Sequence, residues 1–225
     1  MRRLFLVFSL LVLLPTSAAC VTQIPSAYSA HPIRGWVVDA STGQPLDGVI
    51  IVAQWILYGT GAGGYIPQGR LQILETVTAA DGSYAFPGWG PKPNPTMPID
   101  LARPFVCCFL EHRDPQLSFF KPGYRTLTVQ NKGPSSDSPV RTSDWDGKTI
   151  QLELFKDSRD KRARDLNVLQ GDLGWWDLDW RTCPRMVLAI EEERLRSGFS
   201  PSQVSSIRSL GTSIEEVRGA LRMQP

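Results

Sequence analysis

The side chains able to do chemistry are few, and most are poorly spaced for it. The chain holds 2 histidines and 4 cysteines in 225 residues. They are His31 beside Pro32, His112 ahead of Arg113-Asp114-Pro115, Cys20, the adjacent pair Cys107-Cys108, and Cys183. Zinc hydrolysis needs histidines with a carboxylate at helical spacing around the metal, and neither histidine has a glutamate three residues on. The three later cysteines lack the ligand spacing of a zinc site. In an oxidising compartment they allow one bridge between Cys183 and either Cys107 or Cys108, or three buried free thiols. Strand neighbours point to opposite faces, so only one of the adjacent pair can meet a given partner; Cys108 with Cys183 is the candidate disulfide.

Other constellations fail on context. Gly59-Thr60-Gly61-Ala62-Gly63-Gly64 satisfies a dinucleotide-type glycine pattern, but that pattern works only where its last glycine opens a helix whose N-terminus holds a pyrophosphate. Here Tyr65-Ile66-Pro67-Gln68-Gly69 and then a strand follow, which predicts a loop between two strands. Asp144-Trp145-Asp146-Gly147 has two of the several acids a calcium loop alternates, so it reads as a turn. No Gly-x-Ser-x-Gly elbow exists for a serine nucleophile. No catalytic, metal or cofactor-binding residue is assigned and no cofactor is expected. An unrecognised hydrolase is kept as an alternative. The cluster Trp175-Trp176-Asp177-Leu178-Asp179-Trp180 is the strongest binding signal. Three indoles with carboxylates among them make a glycan- or protein-binding platform, with Trp175, Trp176 and Trp180 as its residues, or else an anchor that docks the tail.

The N-terminus sets the compartment. Arg2-Arg3, an apolar run from Leu4 to Leu14 and the small residues Ser17-Ala18-Ala19 before Cys20 read as an export signal over residues 1–19. The run of about eleven residues is too short to span a bilayer, which takes roughly 20. Ser17-Ala18-Ala19-Cys20 resembles the bacterial lipoprotein box, although Ser17 stands where an aliphatic residue is usual. The resemblance makes Cys20 the lipid attachment site, with a fatty acyl chain such as palmitate as its membrane anchor. Val21 in place of an aspartate points to the outer membrane, facing the periplasm or the cell surface; plain cleavage after Ala19 would instead leave a soluble periplasmic protein. Without residues 1–19, Lys+Arg falls from 24 to 22, equal to the 22 Asp+Glu. A zero net charge without basic clusters excludes the footprint of a nucleic-acid binder.

The elements that must carry these residues follow from pattern. Residues 20–32 are a Pro/Ser/Ala-rich anchor and tether. Strands are expected from Ile33, over Val49 to Tyr58 with both faces covered, over Leu71 to Thr78, from Tyr84, near Phe105 to Leu110, over Leu117 to Phe120, over Leu127 to Val129 and over Thr149 to Leu154. Six prolines between Pro87 and Pro104 predict loop. After Lys156, charged and apolar residues take helical spacing. Met186, Val187 and Ile190 share a face, Glu191–Arg194 and Glu192–Arg196 are at pairing distance, Ser200-Pro201 opens a helix, and Thr212 with Glu215 forms a capping box.

The turn phrases carry a family resemblance. Gly35-Trp36-Val37-Val38-Asp39 running into Thr42-Gly43-Gln44-Pro45-Leu46-Asp47-Gly48, Asp81-Gly82-Ser83-Tyr84, and Pro122-Gly123-Tyr124 resemble the carboxypeptidase regulatory-like domain. The resemblance covers residues 33–155 and implies a transthyretin-like (prealbumin-like) Greek-key β-sandwich, mainly β, followed by a helical C-terminal appendage over 156–225. In that family such modules stabilise or present a neighbouring domain, or mediate contacts at the cell surface. Intradiol dioxygenases use a similar sandwich but hold iron with two tyrosines and two histidines, a set that His31 in the tether argues against. The expectation is a non-catalytic envelope lipoprotein, bound to the membrane through its N-terminal lipid. It would act as a structural or protein-interaction module with an envelope protein or a glycan as partner, and without nucleic acid.

Overall fold

The computed structural model describes residues 24–61, 64–95, 107–111, 113–133 and 138–223. The export signal, Cys20 and His112 lie outside the described residues, as does the side chain of Cys107. The strands are β1 (Ala27–Ala30), β2 (Ile33–Asp39), β3 (Ile50–Gly61), β4 (Gly64–Val77), β5 (Ser83–Phe86), β6 (Trp89–Pro93), β7 (Cys107–Leu110), β8 (Gln116–Phe120), β9 (Leu127–Val129), β10 (Val140–Arg141) and β11 (Lys148–Leu152). Helices α1 (Arg159–Leu173), α2 (Pro184–Arg196) and α3 (Ile214–Arg222) follow. One sheet runs β4-β3-β8-β9, with β7 pairing the far end of β3. A second runs β11-β2-β5, with β11 parallel to β2, and a third runs β10-β1-β6. The protein is therefore a mainly β sandwich with a helical appendage, as expected.

Strand β3 explains the architecture. Its apolar run buries both faces. Ile51, Ala53, Trp55 and Leu57 face the sandwich core with Val37, Phe86, Leu117, Phe119 and Ile150, while Ile50 and Val52 face a second core built on the helices. In β8 the same alternation sends Leu117 and Phe119 inward and Phe120 outward. The outward face is covered by Leu166, Leu169 and Leu173 of α1 and by Met186, Val187 and Ile190 of α2. An amphipathic tail thus closes a sheet face that would otherwise expose a large apolar surface.

The recurrent turn phrases have a shared physical cause. The Asp39 carboxylate accepts hydrogen bonds from the Ser41 amide at 2.8 Å, the Thr42 amide at 2.9 Å and the Tyr124 hydroxyl at 3.0 Å. The Ser41 hydroxyl and these donors hold its carboxyl well below the usual carboxylate range. The strand-end aspartate and the Pro-Gly-Tyr phrase, 85 residues apart, are two halves of one corner. Gly82 is required for a different reason. Its φ is +74° and a Cβ there would lie 2.5 Å from the carbonyl oxygen of Val37, whose amide donates to the Gly82 carbonyl and holds the turn to β2.

Several expectations are corrected. The tether is shorter than 20–32, because Ala27–Ala30 forms β1 with Tyr28 and Ala30 buried, so the sandwich begins before Ile33. The proline-rich stretch is not all loop: Trp89–Pro93 is β6, which among the described residues pairs only with β1, and an edge strand tolerates missing amide donors. The glycine run is the end of a hairpin, with Thr60 opposite Tyr65. The two faces of β4 are settled by β-bulges against β3. Ile73 and Glu75 turn to the helices, while Leu71 and Leu74 pack on the sandwich core. Ser200-Pro201 opens a turn, not a helix. Ser213, rather than Thr212, caps α3 by accepting from the Glu216 amide. The Glu191–Arg194 pair forms, but Arg196 pairs with Glu193 and Glu192 with Arg218. Within the charged stretch Asp157 to Asp165, Arg162 is buried and bridges Glu193 at 2.9 Å and Asp165 at 2.8 Å.

Candidate functional site

The tryptophan cluster lies at the junction of α1 and α2, where the tail turns back. A Gly174 residue in the left-handed conformation ends α1, and two short 3-10 turns, Trp175–Asp177 and Trp180–Thr182, lead into α2. This local winding separates the three indoles. Trp175 and Trp180 are each 4% exposed within the second core, and the Trp175 indole N–H donates to the Ser209 hydroxyl at 3.0 Å. Trp176 is 76% exposed. The three rings therefore do not share a surface, and the platform of Trp175, Trp176 and Trp180 is replaced by two anchors and one exposed indole. Composition alone cannot separate the rings, because which face of the 3-10 turn is buried is decided by the core that the tail folds onto. Trp175→Phe, which loses one hydrogen bond and leaves a cavity where the indole's second ring lay, should cost about 2–3 kcal/mol, and Trp176→Ala should stay within about 0.5 kcal/mol; urea titration of both variants checks the division.

The candidate disulfide is also corrected. Cys183 is a free, fully buried thiol at the start of α2. Cys108 is disulfide-bonded, but not to Cys183. The reason is topological: Cys108 belongs to the sandwich core and Cys183 to the helical core, on opposite faces of the sheet. Sequence spacing cannot tell which face a distant cysteine will reach. Burial, together with the nearby Glu75 charge, pushes the Cys183 thiol up to about 12, so it is not a nucleophile near neutrality.

Polar groups that the sequence did not mark hold the tail to the sheet. On the outer face, Gln116 donates to the Asp172 carbonyl at 2.7 Å, and Gln54 donates to the Leu173 carbonyl at 3.2 Å. Arg70 donates to the same Leu173 carbonyl at 2.9 Å. These donors satisfy carbonyls that the end of α1 leaves open. At the next helix Glu75 does the reverse, accepting from the Met186 amide at 2.7 Å and the Arg185 amide at 3.1 Å at the N-terminus of α2. Burial nevertheless dominates and raises Glu75 to about 7. One faint signal exists in the sequence: Glu75 is the one charged residue in the stretch Leu71 to Thr78.

Beside the glutamines, a cleft of about 10 Å³ is lined by Tyr58, Glu111, Asp114 and Gln130 among others. Ligand pockets commonly enclose about 300–1,000 Å³, so this cleft has room for about one water. Asp114 and Arg141 form a buried pair at its base, with the Arg141 Nε donating to Asp114 at 3.0 Å and a second guanidinium nitrogen bound to the other carboxylate oxygen. Burial pushes Asp114 up to about 6 against the pull of Arg141, and burial with the Glu111 charge raises Tyr58. Both Asp114 oxygens are already engaged, which suits an ion pair that fixes a loop better than a proton carrier. A more open groove of about 340 Å³ runs past Ser41, Arg125, Glu153 and Lys156, where Arg125 pairs with Asp157 and Glu153. Among the described residues no cluster of three or more histidine, cysteine or acidic side chains is placed to hold a metal ion. His31 is exposed beyond β1.

No family model matches the chain, and no curated protein matches it. Among solved structures it is similar to the group B streptococcus pilus 2b backbone protein, at 13% identity over 56% of this chain and 42% of that one, with a TM-score of 0.27. It is also similar to 3-chlorocatechol 1,2-dioxygenase from Rhodococcus opacus, at 19% identity over 58% and 61%, with a TM-score of 0.29. The dioxygenase domain of a carbohydrate-binding fusion from Streptomyces sp. SirexAA-E matches at 20% identity over 60% and 82%, again with a TM-score of 0.29. The chain spans less than two thirds of the first two. Likenesses this remote carry no argument about activity.

Proposed function

We propose that this chain is an exported, lipid-anchored β-sandwich that works by presenting surfaces to partners in the cell envelope and not by catalysis. The observation that carries the reading is the use made of its buried reactive groups. Asp39 closes a corner, Asp114 is matched by Arg141, Glu75 seats a helix and Cys183 is sealed in a core. The three carboxylates each hold one element to another and the thiol is closed off in a core, whereas a general base or nucleophile requires a pair of free groups opening on a cleft large enough for a substrate; the cleft beside Asp114 has room for about one water. The anchor rests on the Ser17-Ala18-Ala19-Cys20 sequence. Metabolic labelling with a palmitate analogue should tag the wild-type chain and not Cys20→Ala; an unlabelled, water-soluble wild type would remove the anchor from the account. A glycan-binding reading survives in reduced form through Trp176, the one indole of the cluster that is exposed. Loss of peptidoglycan pull-down in Trp176→Ala would favour it.

A further inference from the structure

The end of the sandwich that receives the tether also carries an exposed, uncharged aromatic hairpin. From Gly59 to Gly69 the chain has no charged residue, although residues 64–68, at this end of the β3–β4 hairpin, are exposed. Tyr65 is 59% exposed and Ile66 is 48% exposed. Strand β4 is an edge of its sheet, and exposed edges are ordinarily blunted with charge, so this apolar, charge-free stretch is a departure. Tyr65 is held in place by an edge-on contact with Phe109 of β7, with ring centroids 5.0 Å apart.

Three contacts connect this hairpin to the start of the described chain. The Asn94 side-chain amide donates to the Pro25 carbonyl at 3.1 Å and to the Cys108 carbonyl at 2.6 Å, and Phe109 is the next residue. The Asn94 backbone amide also bonds the Ser26 carbonyl at 2.8 Å. Pro25 is thus fixed beside β7 and the hairpin end. Cys20 is five residues earlier, and five residues reach about 18 Å at full extension. A chain held to a bilayer at Cys20 must therefore keep this end of the sandwich within about that distance of the headgroups.

We propose that the Tyr65–Ile66 end of the β3–β4 hairpin is a second, weak contact with the bilayer surface, which orients the anchored sandwich. The occupant is the lipid interface, because the tether ends there and because tyrosine, with an apolar ring and a polar tip, suits the headgroup level. The inference rests on the lipid anchor proposed above. The helical tail, on the outer face of the sheet, is then left for partners.

The test supplies the tether independently of natural lipidation. Residues 1–19 are replaced by a histidine tag, Cys20 is changed to Ser, and the chain is bound to phosphatidylethanolamine/phosphatidylglycerol vesicles containing nickel-chelating lipid. A photoreactive phenylalanine analogue is placed in turn at Tyr65, Ile66 and the exposed, distant Met223. Crosslinking to lipid is expected at the first two positions, several-fold above Met223. Tyr65→Ser with Ile66→Ser should weaken vesicle binding about ten-fold, from two half-buried side chains returned to water. Equal yields at all three positions, or crosslinks from Tyr65 to a second copy of the chain, would overturn the proposal. Failure of the anchor is read separately, from the absence of lipid label on the wild-type chain; the vesicle result stands or falls whatever that label shows.

Discussion

Arg141→Ala is expected to destabilise the protein by about 3–5 kcal/mol, because it removes one partner of a buried ion pair and leaves the other uncompensated. Both side chains of the Arg141–Asp114 pair are 4% exposed. The guanidinium also donates to the carbonyls of Ser138 at 3.1 Å and Glu111 at 2.8 Å, so its loss strands backbone acceptors as well as a carboxylate. It ties the 111–114 turn, which leads into β8, to β10, whose strand holds β1 in place. The cost should shrink at low pH, where Asp114 takes up a proton and no longer needs the cation. It should hardly change with salt, since a buried pair is screened little. Asp114→Leu combined with Arg141→Met should recover much of the loss. Urea titrations of the single and double variants at two pH values test this; a single variant within about 0.5 kcal/mol of wild type would show that the pair is not buried as described.

That pair illustrates what a sequence conceals. Asp114 and Arg141 are 27 residues apart and neither belongs to a recognisable pattern. Corners and strands were far easier to read. Asp39, Gly82 and Tyr124 occupy positions where backbone geometry or a local hydrogen bond admits few residue types, so they are visible as phrases. The doubly apolar run of β3 was visible because burial on two faces leaves no polar alternation, and the tail that covers it was visible from helical spacing at Met186, Val187 and Ile190. The face that each covering residue would meet was not encoded locally. Cys183 lies in a different core from Cys108, and Trp175 in a different environment from Trp176, for reasons that arise only when the tail folds back over the sheet. Likewise β1 hides in a stretch of tether-like composition. Its burial comes from pairing with β10 and β6, both remote in sequence.

The seam between sheet and tail should be sensitive to pH through Glu75. Its carboxylate is 5% exposed, where ionisation is costly, and although two amides at the start of α2 favour the charged form, burial prevails. An ordinary value of 4.5 becomes about 7 in the folded protein. Between these two pH values the folded chain keeps a proton that the unfolded chain has released. The sign follows: this group's contribution is most favourable below about pH 4.5 and is lost as pH rises to about 7, by up to about 3 kcal/mol at full effect. Glu75→Gln keeps an oxygen for the Met186 amide and removes the titration, so stability measured by urea titration should be nearly unchanged at pH 5 and higher than wild type at pH 8. The opposite sign would follow if the helix N-terminus outweighed burial, since Glu75 would then be held below its ordinary value and the glutamine variant would be the weaker protein at pH 8. Parallel pH profiles for the two proteins would mean that Glu75 is solvated and that α2 is seated by its apolar face alone. Because the same seam closes the outward face of β3 and β8, loosening it above neutral pH would expose Ile50, Val52 and Phe120, which increased binding of an apolar dye to wild type, but not to Glu75→Gln, would detect.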